Sequence, residues 1–367
     1  MQSRTWEMPA ETESGEKGST VEVQAEEVAA SMRFATVTIT KAKAEDDGQA
    51  EEREPTQSYA GCNLTRSGSR WTGRRWPVRG RTVMDETSQT LPVSRGPYRL
   101  YAEIVPGGGV PVVLMHGFPD NTHLYDRLLP YLAGRRGIVR FDFLGWGRSD
   151  KPAGYPYTAA NQVGDLAAVI SAVDEHVGTG QLTLVAHDAS GPPAIDWALA
   201  NPGRVARLVL LNTYYHWTPA LRRPPAIALY STPIVRAVAR EVVQRRPDLD
   251  RRLYAWQVGR FIQDPEIREQ LVPQLYADFL PARPAFWRLN DDLLTTVLTR
   301  RRRVPQLRRF GPPVQVIFGA RDRYLNPQVA RNFAALFPHS ELHLLDRSGH
   351  YVQVDQPQQV ADLIAGD

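Results

Sequence analysis

The stretch LTLVAHDASGPPAIDWALA, residues 182–200, decides the fold. Its apolar run predicts a buried strand that stops at His187 and Asp188, and a helical pattern begins two residues later. Small residues surround this break, among them Ala186 and Ser190. Larger side chains would collide with the neighbouring strand and helix at such a sharp turn. The pattern presents Asp188 as a nucleophile, and the simpler alternative is that Asp188 only caps the helix.

Ser190 is a second candidate nucleophile in the same turn. If the pattern is centred on Ser190, its flanks become Asp188 and Pro192, and neither is a small residue of the right kind. Pro192 would also stiffen the turn. The sequence therefore favours Asp188 over Ser190.

Apolar strands and amphipathic helices alternate after about residue 90. Continuous Val, Ile and Leu runs separated by helices predict a mostly parallel, twisted sheet with helices on both faces, an α/β fold. The strand candidates cover residues 98–105, 110–116, 137–143, 182–188, 205–212, 314–320 and 341–346. The helix candidates cover residues 122–133, 158–176, 190–201, 326–337 and 355–365.

The long gap between the strands at 205–212 and 314–320 breaks this alternation. Its helical patterns predict an inserted helical cap over residues 216–306, placed above the carboxyl ends of the strands. The core would then consist of residues 91–215 and 307–367. Residues 1–90 have few large apolar residues and no sustained period, which predicts disorder. Met84 is an alternative start of the protein, so residues 1–83 need not belong to it.

Composition narrows the class of protein. The chain has 367 residues, a net charge of +4 and a single cysteine, Cys62. That charge does not indicate a nucleic-acid partner, and one cysteine excludes an internal disulfide framework. No apolar run reaches the length of a membrane span, and the N-terminus has no hydrophobic signal region. We therefore expect a cytoplasmic protein with no membrane or nucleic-acid partner, and no metal or cofactor. The sequence leaves the oligomeric state open.

Two further side chains that can take part in catalysis, a carboxylate and an imidazole, follow the ends of later strands. Asp322 lies just past the strand 314–320, and His350 lies just past the strand 341–346. The order nucleophile, acid, histidine is that of hydrolases with a nucleophile elbow. Asp346 is an alternative acid, but it stands at the end of its own strand.

Backbone N–H groups near Asp188 complete the predicted site. LMHGFPDN, residues 114–121, follows the strand 110–116. We expect the N–H groups of Phe118 and Ala189 to converge on the carboxylate of Asp188 as an oxyanion hole. Gly117 would permit the close approach of the backbone.

The motifs HGFPD, DFLGWGRSDKP, AHDASG, GARD and SGHYVQVDQP resemble the α/β-hydrolase fold over residues 95–365. Within that fold they resemble the branch with an aspartate nucleophile, which includes epoxide hydrolases and haloalkane and haloacetate dehalogenases. The resemblance implies two steps on a small hydrophobic substrate. Asp188 forms an alkyl ester, and His350, oriented by Asp322, then activates the water that hydrolyses it.

Phe118 and Ala189 favour the epoxide hydrolases within this branch. Residues 116–119, HGFP, resemble their motif. The resemblance implies that haloalkane dehalogenases carry Glu or Asn at Phe118 and a halide-holding Trp at Ala189. It implies that haloacetate dehalogenases carry Arg at Ala189. Dehalogenation is therefore the alternative within the same chemistry.

The group that would donate to the leaving oxygen departs from the pattern of the epoxide hydrolases. Epoxide hydrolases use a pair of cap tyrosines, and Trp287 stands where the resemblance implies the second of them. An indole N–H can donate a hydrogen bond but not a proton at neutral pH. We take Trp287, Tyr230 and Tyr215 as candidate substrate-binding residues. The other tyrosines available are Tyr214, Tyr254 and Tyr276.

Two other functions stay open. A carboxylesterase would use Ser190, and a non-catalytic ligand receptor would keep the fold without turnover. A receptor has less reason to keep the water-activating pair of Asp322 and His350.

Overall fold

The computed structural model describes residues 88–232 and 235–366, and the backbone of two short strands, β1 (Thr5–Met8) and β2 (Val21–Gln24). β1 and β2 pair with each other in antiparallel fashion. They belong to a first compact unit, residues 1–74, and all other described residues belong to a second, residues 75–367. The disorder predicted for residues 1–90 and the alternative start of the protein at Met84 fall mostly on residues that the structure does not describe. The exceptions are β1, β2 and residues 88–90, where β3 begins.

The second unit is built on an eight-stranded sheet. Its spatial order is β10-β9-β8-β7-β5-β6-β4-β3, and all pairs are parallel except β4 with β6 and β3 with β4. The strands are β3 (Gln89–Arg95), β4 (Tyr98–Val105), β5 (Val112–Met115), β6 (Ile138–Asp142), β7 (Leu182–Asp188), β8 (Val205–Thr213), β9 (Val314–Gly319) and β10 (Ser340–Leu345).

The sequence-based prediction of a mostly parallel α/β sheet is confirmed. The seven predicted strands correspond to β4 through β10, with ends that differ by at most two residues. The prediction missed β3, the antiparallel edge strand. β3 alternates buried Leu91 and Val93 with exposed neighbours and contains Pro92, so it lacks the continuous apolar run of the central strands.

Helices cover both faces of the sheet because the central strands are apolar on both sides. All four residues of β5 are buried. One core cluster packs against α2 (Ala159–Val177), α3 (Gly191–Ala200) and α9 (Pro327–Ala334). The cluster on the other face packs against α1 (Leu129–Leu132) and α11 (Pro357–Ala365). A short helix, α10 (Val352–Asp355), precedes α11.

Besides a 3₁₀ turn at Arg300–Arg303, the described residues between β8 and β9 form five α-helices. They are α4 (Pro225–Ser231), α5 (Val235–Arg245), α6 (Pro247–Val258), α7 (Pro265–Thr299) and α8 (Val304–Leu307). A third apolar cluster joins α4, α5, α6 and α7 and includes Tyr351 from the core. In the described part of the chain, no helix combines the length and apolar character that crossing a membrane requires.

Candidate active site

Asp188 occupies the turn between β7 and α3 in a left-handed backbone conformation, with φ of 49°. A non-glycine residue with positive φ is uncommon and marks a strained turn. The neighbours must be small, because a Cβ at Gly191 would clash with the Thr213 hydroxyl. The same hydroxyl donates a hydrogen bond to the Asp188 carbonyl. The turn thus lifts the Asp188 side chain away from the end of the strand.

Two backbone N–H groups face the Asp188 carboxylate. The Phe118 N–H donates to Oδ2 at 3.3 Å, and the Ala189 N–H also bonds the carboxylate. This approach requires a glycine at 117, since a Cβ there would lie 2.6 Å from His187 Nδ1 and 2.8 Å from Asp188 Cβ. The structure therefore brings together the two N–H groups that the sequence analysis expected.

His350 lies between Asp188 and Asp322. Its Nδ1 is 2.7 Å from Asp322 Oδ2, and its Nε2 is 3.8 Å from Asp188 Oδ1. The other oxygen of Asp322 accepts the N–H groups of Tyr324 at 2.8 Å and Leu325 at 3.1 Å. The three groups predicted from strand ends thus meet at the carboxyl edge of the sheet.

The charges of this trio shift one another's pKa values. Burial by itself would lower the pKa of His350, but the carboxylates of Asp322 and Asp188 outweigh burial and raise it to about 9. Burial would raise the pKa of Asp322, yet His350 and its hydrogen bonds hold that pKa below the usual value. Burial raises the pKa of Asp188. With a pKa of about 9, the imidazole is charged at neutral pH.

Asn212 is a site residue that the sequence analysis missed. Its side-chain amide donates to Asp322 Oδ2 at 2.8 Å, and its carbonyl oxygen accepts the Gly319 N–H at 2.9 Å. It is fully buried at the end of β8, with φ of 30°. The sequence signal that could have identified Asn212 was a polar amide at the end of a strand predicted to be buried.

A cavity of about 550 Å³ lies above the trio. Core residues Asp188 and His350 form part of its wall, and helices α4, α6 and α7 form most of the remainder. The wall is mostly aliphatic and aromatic, with Phe261, Phe279 and Phe286 among the aromatic side chains. An apolar cavity with a few polar groups at one end suits a small hydrophobic ligand.

Of the three predicted substrate-binding residues, only Tyr230 lines this cavity. Trp287 does not line it; its ring packs against Tyr230 and beneath the Arg240 guanidinium instead. Tyr215 is also absent from the lining, because its hydroxyl donates to Asp196 at 2.6 Å. The structure therefore does not bring Trp287 and Tyr215 to the cavity wall, because neighbouring side chains, which the sequence pattern does not reveal, decide which way each ring points.

Tyr254 and Tyr351 line the cavity in place of those two residues. The Tyr254 hydroxyl is buried and has no hydrogen-bond partner among the described residues. The Tyr351 hydroxyl donates to Asp120 Oδ1 at 3.1 Å. Burial, followed by the charge of Asp188, raises the pKa of Asp120 to about 7. An unpartnered buried hydroxyl at a cavity wall is available to a ligand.

Ser190 does not face the cavity. Its hydroxyl is fully buried, lies 2.7 Å from the His187 carbonyl and 3.1 Å from the Met115 carbonyl, and accepts the His187 N–H at 2.9 Å. These hydrogen bonds link the Ser190 hydroxyl to the backbone at the ends of β7 and β5 and so stabilise the turn. The geometry therefore gives Ser190 a structural position rather than that of a nucleophile.

A sequence profile of the α/β-hydrolase fold matches residues 110–357. Haloalkane dehalogenase 2 of Mycobacterium tuberculosis (strain H37Rv) is 26% identical over 269 residues, covering 70% of this chain and 87% of the relative. The cis-3-alkyl-4-alkyloxetan-2-one decarboxylase of Xanthomonas campestris pv. campestris is 27% identical over 312 residues, covering 76% and 94%. The crystal structure of the haloalkane dehalogenase DatA from Agrobacterium tumefaciens C58 superimposes with a TM-score of 0.63 at 21% identity, covering 77% and 96%.

The fold and the profile together define the class of protein: the chain belongs to the α/β-hydrolase fold family. It is an enzyme, a hydrolase of that family, and it acts on a small molecule with water.

Proposed function

We propose that this hydrolase cleaves a bond at a saturated carbon through an ester on Asp188, and that its preferred substrate is an epoxide. The carrying observation is the position of Asp188 at the cavity wall, with two N–H donors on its carboxylate and His350 Nε2 3.8 Å away. The geometry of Ser190 supports the same choice, because its hydroxyl is bonded away from the cavity.

The two carboxylate oxygens suit different roles in the first step. Oδ1 faces His350 and would attack the epoxide carbon, while Oδ2 keeps the Phe118 N–H. The ring C–O bond breaks, and its electron pair stays on the epoxide oxygen, which takes a proton from an acid in the cavity. Asp188 is then an alkyl ester whose carbonyl oxygen accepts hydrogen bonds from the N–H groups of Phe118 and Ala189.

Water completes the reaction in the second step. The ester lacks the negative charge of Asp188, so the imidazolium of His350 releases its proton, which restores the acid of the first step. Neutral His350 then takes a proton from water, and the water oxygen attacks the ester carbonyl carbon. The N–H groups of Phe118 and Ala189 stabilise the resulting oxyanion. The ester C–O bond breaks, and the diol oxygen takes the proton from the imidazolium. Asp188 is then a carboxylic acid, and its proton passes to His350, which restores the carboxylate and the charged imidazole of the resting state. Asp322 stabilises the charged imidazole and keeps its Nε2 aimed at the ester.

Tyr254 is the best-supported proton donor for the first step. Its hydroxyl is buried at the cavity wall without a partner, and burial keeps its pKa above the usual value. The phenol therefore stays protonated at neutral pH, while an alkoxide is basic enough to take its proton. We propose that residues 216–306 act as the cap that carries this donor.

Dehalogenation is the second candidate because a curated relative is a haloalkane dehalogenase. A halide leaving group needs a hydrogen-bond donor but no proton. Phe118 and Ala189, which flank the carboxylate, have apolar side chains that offer no such donor. This difference favours the epoxide over the alkyl halide.

The test is to trap the ester. The variant His350→Gln cannot activate water, so styrene oxide should add its mass to the protein, and peptide mapping should locate the adduct on Asp188. Bromoalkanes, a four-membered lactone and p-nitrophenyl esters complete the substrate panel. An adduct on Ser190 would establish the esterase alternative, and the absence of any adduct would refute the ester mechanism.

The same trapping reaction tests the donor. In the His350→Gln background, Tyr254→Phe should slow adduct formation from the epoxide much more than from a bromoalkane, since only the epoxide oxygen needs a proton. Tyr230→Phe is the matched control, because Tyr230 also lines the cavity from the helical segment. Equal rates in the two variants would remove Tyr254 from this role.

A further inference from the structure

The opening of the cavity has an unusual composition. Seven cavity-lining residues are also exposed, and we call them the rim: Trp217, Arg222, Arg223, Pro225, Leu253, Trp256 and Leu294. Four are large and apolar, two are arginines and none is acidic. A soluble enzyme rarely leaves several large apolar side chains exposed together.

The apolar character of the rim continues along α6. Leu249, Leu253 and Trp256 are spaced four and three residues apart, so they form one stripe on this helix, and all three are exposed. Of the 13 large apolar residues that are exposed in the described part of the chain, ten lie within residues 216–306. Exposed apolar surface is thus concentrated on the segment that carries the cavity opening.

Positive charge is concentrated on the same segment. Residues 216–306 contain 16 arginines, no lysine and nine acidic residues, although the whole chain carries a net charge of only +4. On α5 and α6 the acidic residues already have arginine partners: Glu241 with Arg245, Asp248 with Arg251, and Asp250 with Arg283. Arg222 and Arg252 are in no ion pair with any described residue, so their charge is available to a partner.

Apolar side chains interleaved with unpaired arginines fit one kind of partner, an anionic lipid surface. Tryptophans near the rim suit the level of the headgroups, where aromatic side chains are enriched. A second copy of this chain fits less well, because a twofold contact would place two arginine-rich faces against each other.

We propose that the rim and the α6 stripe dock this enzyme on an anionic membrane surface, so that apolar substrate enters the cavity directly from the lipid. Leu249, Leu253 and Trp256 would insert between the headgroups, and Arg222, Arg223 and Arg252 would contact their phosphates. The sequence analysis expected no membrane partner because it considered spanning segments, whereas this docking needs none. The proposal does not depend on which bond the site breaks.

Co-sedimentation of the full-length protein with lipid vesicles tests the proposal. We expect binding to phosphatidylglycerol vesicles, weaker binding to phosphatidylcholine vesicles, and release at high salt. The double variant Leu249→Glu/Arg252→Glu should weaken binding by about tenfold or more. Neither residue lines the cavity, so melting temperature and turnover of a water-soluble substrate should not change.

A matched control makes the same charge changes on the exposed surface outside residues 216–306. Val177 is an exposed apolar residue and Arg331 is an exposed arginine, so Val177→Glu/Arg331→Glu should leave vesicle binding within about twofold of the wild type. If binding survives the α6 substitutions, another region carries it, such as the arginine-rich residues 66–81, and the proposal is wrong. It is also wrong if the wild type ignores both vesicles, or if the α6 substitutions convert a dimer into a monomer.

Discussion

The charge of Asp188 adds to the larger effect of Asp322 on the basicity of His350. In the resting protein the imidazole has a pKa of about 9 and carries a proton at neutral pH, so it cannot take another from water. Formation of an ester would remove the negative charge from Asp188, and that pKa would then fall. The imidazole would thus give up its proton more readily, and so act as a base more readily, once there is an ester to hydrolyse.

This coupling gives a prediction for the free protein. Asp188→Asn removes the charge beside the imidazole, so the charged form loses stabilisation and the pKa of His350 should fall below its wild-type value of about 9. An NMR titration of the imidazole checks this value. Asp346→Asn, an exposed carboxylate four residues before His350, is the control and should leave the pKa unchanged. An unchanged pKa in Asp188→Asn would contradict the coupling.

The trio could be located from sequence, but the cavity wall could not. Asp188, Asp322 and His350 follow strands, and parallel strands bring their carboxyl ends to one edge whatever the details of packing. Tyr230, Tyr254 and Trp287 belong to helices whose rotation about their own axes depends on every neighbouring helix. Their side chains therefore point in directions that sequence spacing does not reveal.

The helices and strands that could be predicted best are those with the most continuous or regular apolar pattern. The central strands β5 and β7 are buried on both faces and stand out as continuous runs. Residues 122–133 were predicted as one helix, yet the structure has a 3₁₀ turn at Thr122–Tyr125 followed by α1. Pro130, at the start of α1, favours a new helical start there because proline lacks a backbone N–H.

One ion cluster joins residues 216–306 to α3, the helix that follows Asp188. Asp196 on α3 accepts hydrogen bonds from Tyr215 at 2.6 Å, from Arg300 Nη2 at 2.6 Å and from Arg303 at 3.0 Å. Arg300 directly follows α7 and its side chain is almost fully buried. The cluster therefore fixes the end of α7 against the core.

Removal of one partner should be costly. Arg300→Met leaves the Asp196 carboxylate with fewer partners in a buried place, so we expect a loss of about 3 kcal/mol in the free energy of unfolding. Chemical denaturation measures this loss. Arg302→Met is the control, because Arg302 is exposed and makes no ion pair with the described residues, and it should change stability little. Equal effects of the two substitutions would argue against the anchoring role.

The whole molecule carries several buried acids whose protonated form the fold favours. Burial raises the pKa of Asp120 to about 7, and it raises those of Asp165 and Asp355 to about 6. An unfolded aspartate ionises near pH 4. Between these values the folded protein binds more protons than the unfolded chain, so these groups make stability fall as the pH rises.

Asp120→Asn isolates one of these contributions. Since asparagine does not ionise, the wild type should lose stability relative to the variant as the pH rises from about 4 to about 7, by about 1.4 kcal/mol for each unit of the pKa shift. Denaturant titrations at several pH values give the difference. Glu175→Gln, on the exposed end of α2, should run parallel to the wild type. A pH-independent difference for Asp120→Asn would mean that this carboxyl group ionises normally.

The glycines around Asp188 restrict how this enzyme can diversify. Gly117 and Gly191 each touch a neighbouring residue so closely that even a methyl group would displace the turn. Mutations that survive selection should therefore be scarce at this edge and frequent on helices α4 to α7, where the lining can change without moving the reacting atoms. New substrate ranges would then arise from changes in these helices, while the residues at the carboxyl edge of the sheet stay the same.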